Sequence, residues 1–311
     1  MTTLALFSSR FNSTIVRIAT QTVFAATRSY FNAISRLRPE LARRQAERLF
    51  TTPPRHPSRH PAPAAARRET VLSDSGEIAV WQAGPADAPA VLLVHGWGGV
   101  GAQLGSFVAP LLARGYRAVW FDHPGHGASE GRQVALPDLV RGMAAIDATC
   151  GPFAAAIGHS LGAAAIGLAL RGGQRIPRIV LIGTPASMNE HIRNFARHLG
   201  ITTSVRDALR HRVETRYGRS FDDIDRIAEL KTLEAPALLI HDAGDRHVRF
   251  ADSVRIAACL SESQLIRTHG LGHFRVLRNP QVVDVVTHFV AGESAGLPTE
   301  LPPLPMPAPI Y

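Results

Sequence analysis

Six short apolar runs constrain this chain more than any other feature: AVLLVHG (90–96), YRAVWFD (116–122), FAAAIGH (153–159), RIVLIGT (178–184), PALLIHD (236–242) and SQLIRTH (263–269). A strand with one wet face alternates apolar and polar residues. Continuous apolarity instead suits strands covered on both faces, as in a parallel sheet. Parallel neighbours need long crossovers, and helical patterns between the runs supply them. The last such helix is marked by Val282, Val283, Val286 and Phe289. The spacing therefore predicts an α/β fold for a body from about Glu69 to Gly292. One interval, 186–230, is too long for a simple crossover and contains helical patterns such as VRDALRHRVETRYG. It reads as an inserted helical cap.

The flanks differ in character. Residues 1–68 read as a basic helical arm followed by a linker, TTPPRHPSRHPAPAAARR (Thr51–Arg68), semi-extended because of its prolines. Residues 293–311 form a second proline-rich segment. In the arm, Ile15, Ile18, Ala19, Val23 and Phe24 recur at helical spacing among arginines. Two readings stand side by side: a helix packed on the body, and an amphipathic helix on a membrane surface, which also resembles an organellar targeting peptide.

The formal charge of +9 sits wholly in this flank. Residues 1–69 hold 12 Arg against Glu40, Glu47 and Glu69, whereas 22 basic and 22 acidic residues cancel from residue 70 onward. With a neutral body and no helix-groove, zinc-finger or RNA-binding aromatic pattern, nucleic acid is not an expected partner. Cys150 and Cys259 form no CxxC and no disulfide framework, which fits a reducing, cytoplasmic compartment. No run of about 18 apolar residues predicts a spanning helix.

The unusual residues cluster where the strand runs end, and ligands of open α/β sheets gather at those ends. Gly158-His159-Ser160-Leu161-Gly162 follows the third run and opens a helix. Such a G-x-S-x-G turn holds a serine in strained backbone geometry, with glycines where β-carbons would collide. A serine hydroxyl attacks a carbonyl only when a base removes its proton. His273, in the glycine-rich loop GLGHFR after the last run, is the candidate base. The acid that fixes its tautomer lies in HDAGDRHV. Asp245, further into the loop, is preferred over Asp242, which is read as a brace for the turn. The oxyanion that develops needs donors, and the backbone N–H groups of Leu161 and of Trp97 in HGWGG are candidates. His95, Asp122, His123 and His126 are read as structural.

Together these segments resemble the α/β-hydrolase family, in particular its serine hydrolases with a helical cap, over about residues 70–292. The resemblance implies an eight-stranded, mostly parallel sheet and a cap after the sixth strand. It carries nucleophile, acid and base onto Ser160, Asp245 and His273, and the oxyanion donors onto Trp97 and Leu161. It further implies hydrolysis of carboxylic esters through an acyl-enzyme, with no metal and no organic cofactor. Thioesters, lactones and carbon–carbon bonds beside a ketone stay open, as does a non-catalytic binding role. Relatives that open epoxides or displace halides carry aspartate where this chain has Ser160. Asp242 departs from the family by standing where a glycine often follows the strand histidine.

Overall fold

The computed structural model describes residues 22–55 and 66–302. The helical spacing at Ile15, Ile18 and Ala19, most of the proline-rich linker and the last nine residues lie outside the described residues.

Eight strands form one sheet: β1 (Arg67–Ser73), β2 (Gly76–Ala83), β3 (Ala90–Val94), β4 (Arg117–Phe121), β5 (Phe153–His159), β6 (Ile179–Ile182), β7 (Ala237–Asp242) and β8 (Ser263–Thr268). Their order is β1-β2-β4-β3-β5-β6-β7-β8. β1 pairs with β2, and β2 with β4, in antiparallel sense, while β4-β3-β5-β6-β7-β8 is parallel throughout. Each of the six apolar runs became a strand of that parallel stretch, and every residue of β3 and β7 is buried. Alternation sorts the side chains. Val91 and Leu93 of β3, Val180 and Ile182 of β6, and Leu238 and Ile240 of β7 share a core with Phe107, Leu111 and Phe289. The intervening Leu92, Ala156 and Leu239 are buried as well but lie outside that cluster, on the opposite face.

Eleven helices accompany the strands among the described residues. α1 covers 22–37, and α2 (Pro39–Thr51) follows. α3 (Val108–Ala113), α4 (Leu136–Cys150) and α5 (Leu161–Arg171) stand between strands. α6 (Met188–Leu199), α7 (Thr203–Tyr217) and α8 (Phe221–Ile224) occupy the interval between β6 and β7. α9 (Phe250–Ala257), α10 (Gly272–Arg275) and α11 (Pro280–Val290) complete the chain. No helix among the described residues is long and apolar enough to cross a membrane.

The chain divides into two compact units. Of the described residues, 51–55, 66–188 and 217–302 contain the whole sheet. Residues 22–50 and 189–216 form the other unit, in which the arm is grouped with most of α6 and α7. Here the Phe50 ring stands edge-on to Phe195 with centroids 5.1 Å apart, and Arg28 donates to the Arg197 carbonyl at 2.9 Å. Buried Glu47 pairs with Arg43, Arg212 and Arg216. The buried stripe of the arm is Phe31, Ser35, Ala42 and Ala46, whereas Val23 and Phe24 are exposed.

Candidate active site

Ser160 is the sole non-glycine residue with positive φ among the described residues, at φ 53° and ψ −123°. An L-residue pays for this conformation in steric strain, which persists only where the surroundings over-determine it. Those surroundings are visible on both sides of the turn. The Ser160 N–H donates to Ile182 O of β6 at 2.8 Å, and Ser160 O accepts from Ala163 and Ala164 as α5 begins. A Cβ on Gly162 would come within 2.4 Å of His95 O, and one on Gly158 within 2.7 Å of Ala163 Cα. Glycine at both positions lets β5 turn into α5 with no room to spare.

His273 and Asp245 meet at the same end of the sheet. Asp245 Oδ2 accepts from His273 Nδ1 at 2.6 Å, and its Oδ1 accepts from the N–H groups of His247 (2.7 Å) and Val248 (3.1 Å). His241, inside β7, lies 3.4 Å from Asp245 Oδ2 through Nε2 and is fixed by Ser253 Oγ at 2.7 Å from Nδ1. Burial pushes the Asp245 carboxyl upward, but hydrogen bonds from His241, His273 and Val248 outweigh it and hold the group well below the usual carboxylate range. Asp245 is thus an ionised acceptor, and His273 Nδ1 carries the hydrogen in this contact.

Asp242 is occupied otherwise. Its Oδ1 accepts from Gly244 N–H at 2.9 Å, and its Oδ2 accepts from Thr268 Oγ1 (3.0 Å) and Leu271 N–H (2.8 Å). It ties the β7 loop to the β8 loop that carries His273.

Two contacts bring the histidine loop to the serine turn. His159, next to Ser160, donates Nε2–H to the His273 carbonyl at 2.9 Å. Gly183 follows the Ile182 whose carbonyl holds Ser160, and a Cβ there would meet His273 Nδ1 at 3.3 Å. Burial, then repulsion from His273, lowers the His159 pKa to about 3. It is a neutral donor, and its role is positional.

The HGWGG loop approaches from the other side. Gly96 lies so near that a Cβ on it would stand 2.9 Å from Ser160 Cβ. Among the described residues, neither the Trp97 N–H nor the Leu161 N–H has a hydrogen-bond acceptor. The first N–H groups of a helix are left open by geometry, and they point outward from its positive end. His95 braces this loop: Nδ1 donates to Gly96 O at 2.7 Å, and Nε2 accepts from His123 N–H at 2.9 Å. Burial lowers its pKa to about 4, so the ring is neutral. Asp122 accepts from the N–H groups of Gly101 and Ala128, both at 2.8 Å, and holds the loop after β4. Trp97 stacks edge-on against His126 with centroids 5.3 Å apart.

Three contributors escape a reading of the sequence. His241 stands in a run of apolar strand residues, and that oddity is its one local signal. The bond from His159 to the His273 carbonyl has no local signal. Arg55, from the linker, donates to the carbonyls of Gly125, Ser129 and Gly131 and so secures the loop that holds His126.

Beside His273 opens a cavity of about 510 Å³, walled in part by Arg246, His247, Phe274 and Arg275. A narrower and mostly apolar one, about 50 Å³, runs along Ala163, Ala164 and Gly167 of α5 toward Leu230 and Ile256.

Comparison with known proteins adds an independent line. A family profile described as alpha/beta hydrolase fold matches residues 89–199, which contain the serine turn but neither Asp245 nor His273. The magnesium-chelatase 30 kDa subunit of Rhodobacter capsulatus is 37% identical over 133 residues, covering 40% of this chain and 44% of that protein. A pimeloyl-(acyl-carrier protein) methyl ester esterase of Aromatoleum aromaticum is 26% identical over 239 residues, 62% of this chain and 94% of that one. Among solved structures, an esterase of Pyrococcus furiosus shares the fold at a TM-score of 0.59 and 14% identity, covering 77% of this chain and 98% of that one. The chain spans less than half the length of the relatives that it matches at more than 30% identity.

Proposed function

Since the chain belongs to the α/β-hydrolase family, we propose that it is a serine hydrolase that cleaves carboxylic esters through an acyl-enzyme on Ser160. The observation that carries this reading is the strained φ of Ser160 on a turn bordered by the His273–Asp245 pair at 2.6 Å. In the proposed cycle His273 Nε2 takes the Ser160 proton as Oγ attacks the ester carbonyl. Asp245 stabilises the imidazolium, and the Trp97 and Leu161 N–H groups receive the oxyanion. His273 then returns the proton to the leaving alcohol, the C–O bond breaks, and the acyl group stays on Ser160. Water, deprotonated by the same imidazole, releases the acid. The residues that act are all supplied by the chain, and no step calls on a metal or an organic cofactor.

The methyl ester esterase among the relatives supports esters as the substrate class. Thioesters, lactones and carbon–carbon bonds beside a ketone use the same acyl transfer and would be separated by a substrate panel that varies acyl length and leaving group. A second reading, a non-catalytic member of the family, is favoured by the likeness to a magnesium-chelatase subunit, whose name is not that of a hydrolase. A fluorophosphonate that reacts with activated serines separates the two. Stoichiometric labelling of wild type and none of Ser160→Ala is expected. An unlabelled, folded wild type would favour the second reading, and undiminished labelling of Ser160→Ala would remove Ser160 from the mechanism.

A further inference from the structure

The chemistry leaves the arm helices unused, and they carry a feature of their own. The helical ladder continues between α1 and α2: Arg38 N–H donates to Ile34 O at 2.8 Å and Ala42 N–H to Arg38 O at 3.0 Å. Positions can therefore be counted across Pro39. One stripe is buried, namely Phe31, Ser35, Ala42 and Ala46, at intervals of four, seven and four. A second stripe faces away. Val23, Tyr30, Leu37 and Leu41 follow one another at intervals of seven, seven and four, and all are between 44% and 76% exposed. At 3.6 residues per turn this stripe lies roughly 120° around the axis from the buried one. Arg44 and Arg48 continue it at intervals of three and four.

The concentration is unusual for the molecule. Of nine large apolar side chains exposed among the described residues, six lie on α1 and α2, with Phe24 and Leu49 added to the four above. Scattered single exposed apolar residues call for no explanation, but a patterned set does. The charge on this face has one sign. Arg44 and Arg48 make no hydrogen bond or ion pair with a described residue, and Arg44 feels Glu40 only at longer range. Glu40 and Glu47 lie off the stripe and pair with Arg43. Upstream the sequence contains no acidic residue at all.

We propose that the face formed by Val23, Tyr30, Leu37, Leu41, Arg44 and Arg48 docks on an anionic lipid bilayer, lying in the plane of the interface. The apolar side chains enter the boundary between headgroups and acyl chains, and the two guanidinium groups meet lipid phosphates. The alternative occupant, a second copy of this face, fits less well. A twofold contact would pair a surface that has two cations and no carboxylate with itself, and both cations would be desolvated without a partner. Anionic headgroups neutralise them.

The test is co-sedimentation of the full chain with phosphatidylcholine vesicles and with vesicles containing about a third phosphatidylglycerol. Wild type is expected to partition to the anionic vesicles and release at high salt. Arg44→Gln/Arg48→Gln is expected to weaken partitioning roughly tenfold or more, at about 1 kcal/mol per basic residue near the surface. Val23→Ser/Tyr30→Ser/Leu37→Ser/Leu41→Ser should abolish partitioning, with unchanged far-UV circular dichroism and thermal midpoint to show that the variant folds. Absence of wild-type partitioning, equal partitioning to both vesicle types, or no loss in either folded variant overturns the proposal. A concentration-dependent dimer that the serine variant disrupts, without vesicle binding, would assign the face to a second copy instead.

Discussion

Asp242 and Asp245 stand three positions apart in one loop, yet the structure spends them differently. Asp242 sits opposite Thr268 in the β7–β8 register, so its carboxylate meets the Thr268 hydroxyl and then the Leu271 N–H. Asp245, past the end of that register, turns to His273. Two distinct losses follow from substitution. Asp245→Asn keeps the shape but removes the charge that stabilises an imidazolium, and a fall of roughly 10³–10⁴ in kcat on an aryl ester is expected. Asp242→Ala leaves the buried Thr268 hydroxyl, and the partly exposed N–H groups of Gly244 and Leu271, without this acceptor. At about 1–3 kcal/mol for the buried group it should lower the urea midpoint, while activity per folded molecule falls much less. The reverse pattern, with Asp242→Ala silencing a stable protein, would exchange the two assignments. At this scale the sequence favours Asp245 only by its place further into the loop. Ser160 is better marked, because glycines at both flanks and the strand before it coincide at one spot. What no local pattern encodes is which groups His159 and His241 support, since both act on residues brought near by strand order.

The turn from β5 to α5 gives the same lesson for an element. Its glycines are required by backbone contacts, not by loop flexibility: Gly162 faces the carbonyls of Val94 and His95 at 2.5 and 2.4 Å from a would-be Cβ. Main chain of a central strand cannot give way, so Gly162→Ala is expected to cost on the order of 1–3 kcal/mol and to misplace Ser160. Gly167, in the same helix, would present its Cβ to nothing nearer than Leu230 Cδ2 at 3.7 Å. There the substitution to alanine should be neutral or stabilise by up to about 1 kcal/mol, through helix propensity. Thermal midpoints of the two variants check the contrast, and equal effects would mean that the turn tolerates a β-carbon. Six strands were legible: burial on both faces leaves a nearly continuous apolar run in β3 to β7, and β8, at the sheet edge, retains the short apolar pair Leu265 and Ile266. β1 and β2 were not. RRETVLS is mostly exposed, as an edge strand is, and its pairing depends on the register with β2 rather than on any apolar run. Of the two readings of the arm, burial of Val23 and Phe24 against the protein is the one that their exposure disfavours. Local periodicity identifies an apolar stripe, but tertiary packing selects which stripe is covered.

For the whole molecule, the buried histidines set a limit that no single one would. His95, His126 and His159 are held neutral, with pKa values lowered to about 4, 3 and 3, and His123 is lowered well below its usual value; burial is the main cause in each. In the unfolded chain all four take up protons near pH 6.5. Below that pH the unfolded state binds more protons than the folded state, so stability must fall as pH falls. The stabilisation is fully present above about pH 6.5 and is lost progressively toward pH 4 and below. Asp122 works in the opposite sense, because burial raises its pKa, but it is one group against four. The four losses run in the same direction, and they are felt against a net stability of only about 5–15 kcal/mol for a typical domain. Urea midpoints measured from pH 7.5 to 4.5 should decline steeply below 6.5, before the carboxylates titrate. His126, whose Nε2 has no hydrogen-bond partner among the described residues, offers the internal control. His126→Gln should flatten the slope by about one proton, and a profile level down to pH 4.5 would mean that these rings are not held neutral by the fold.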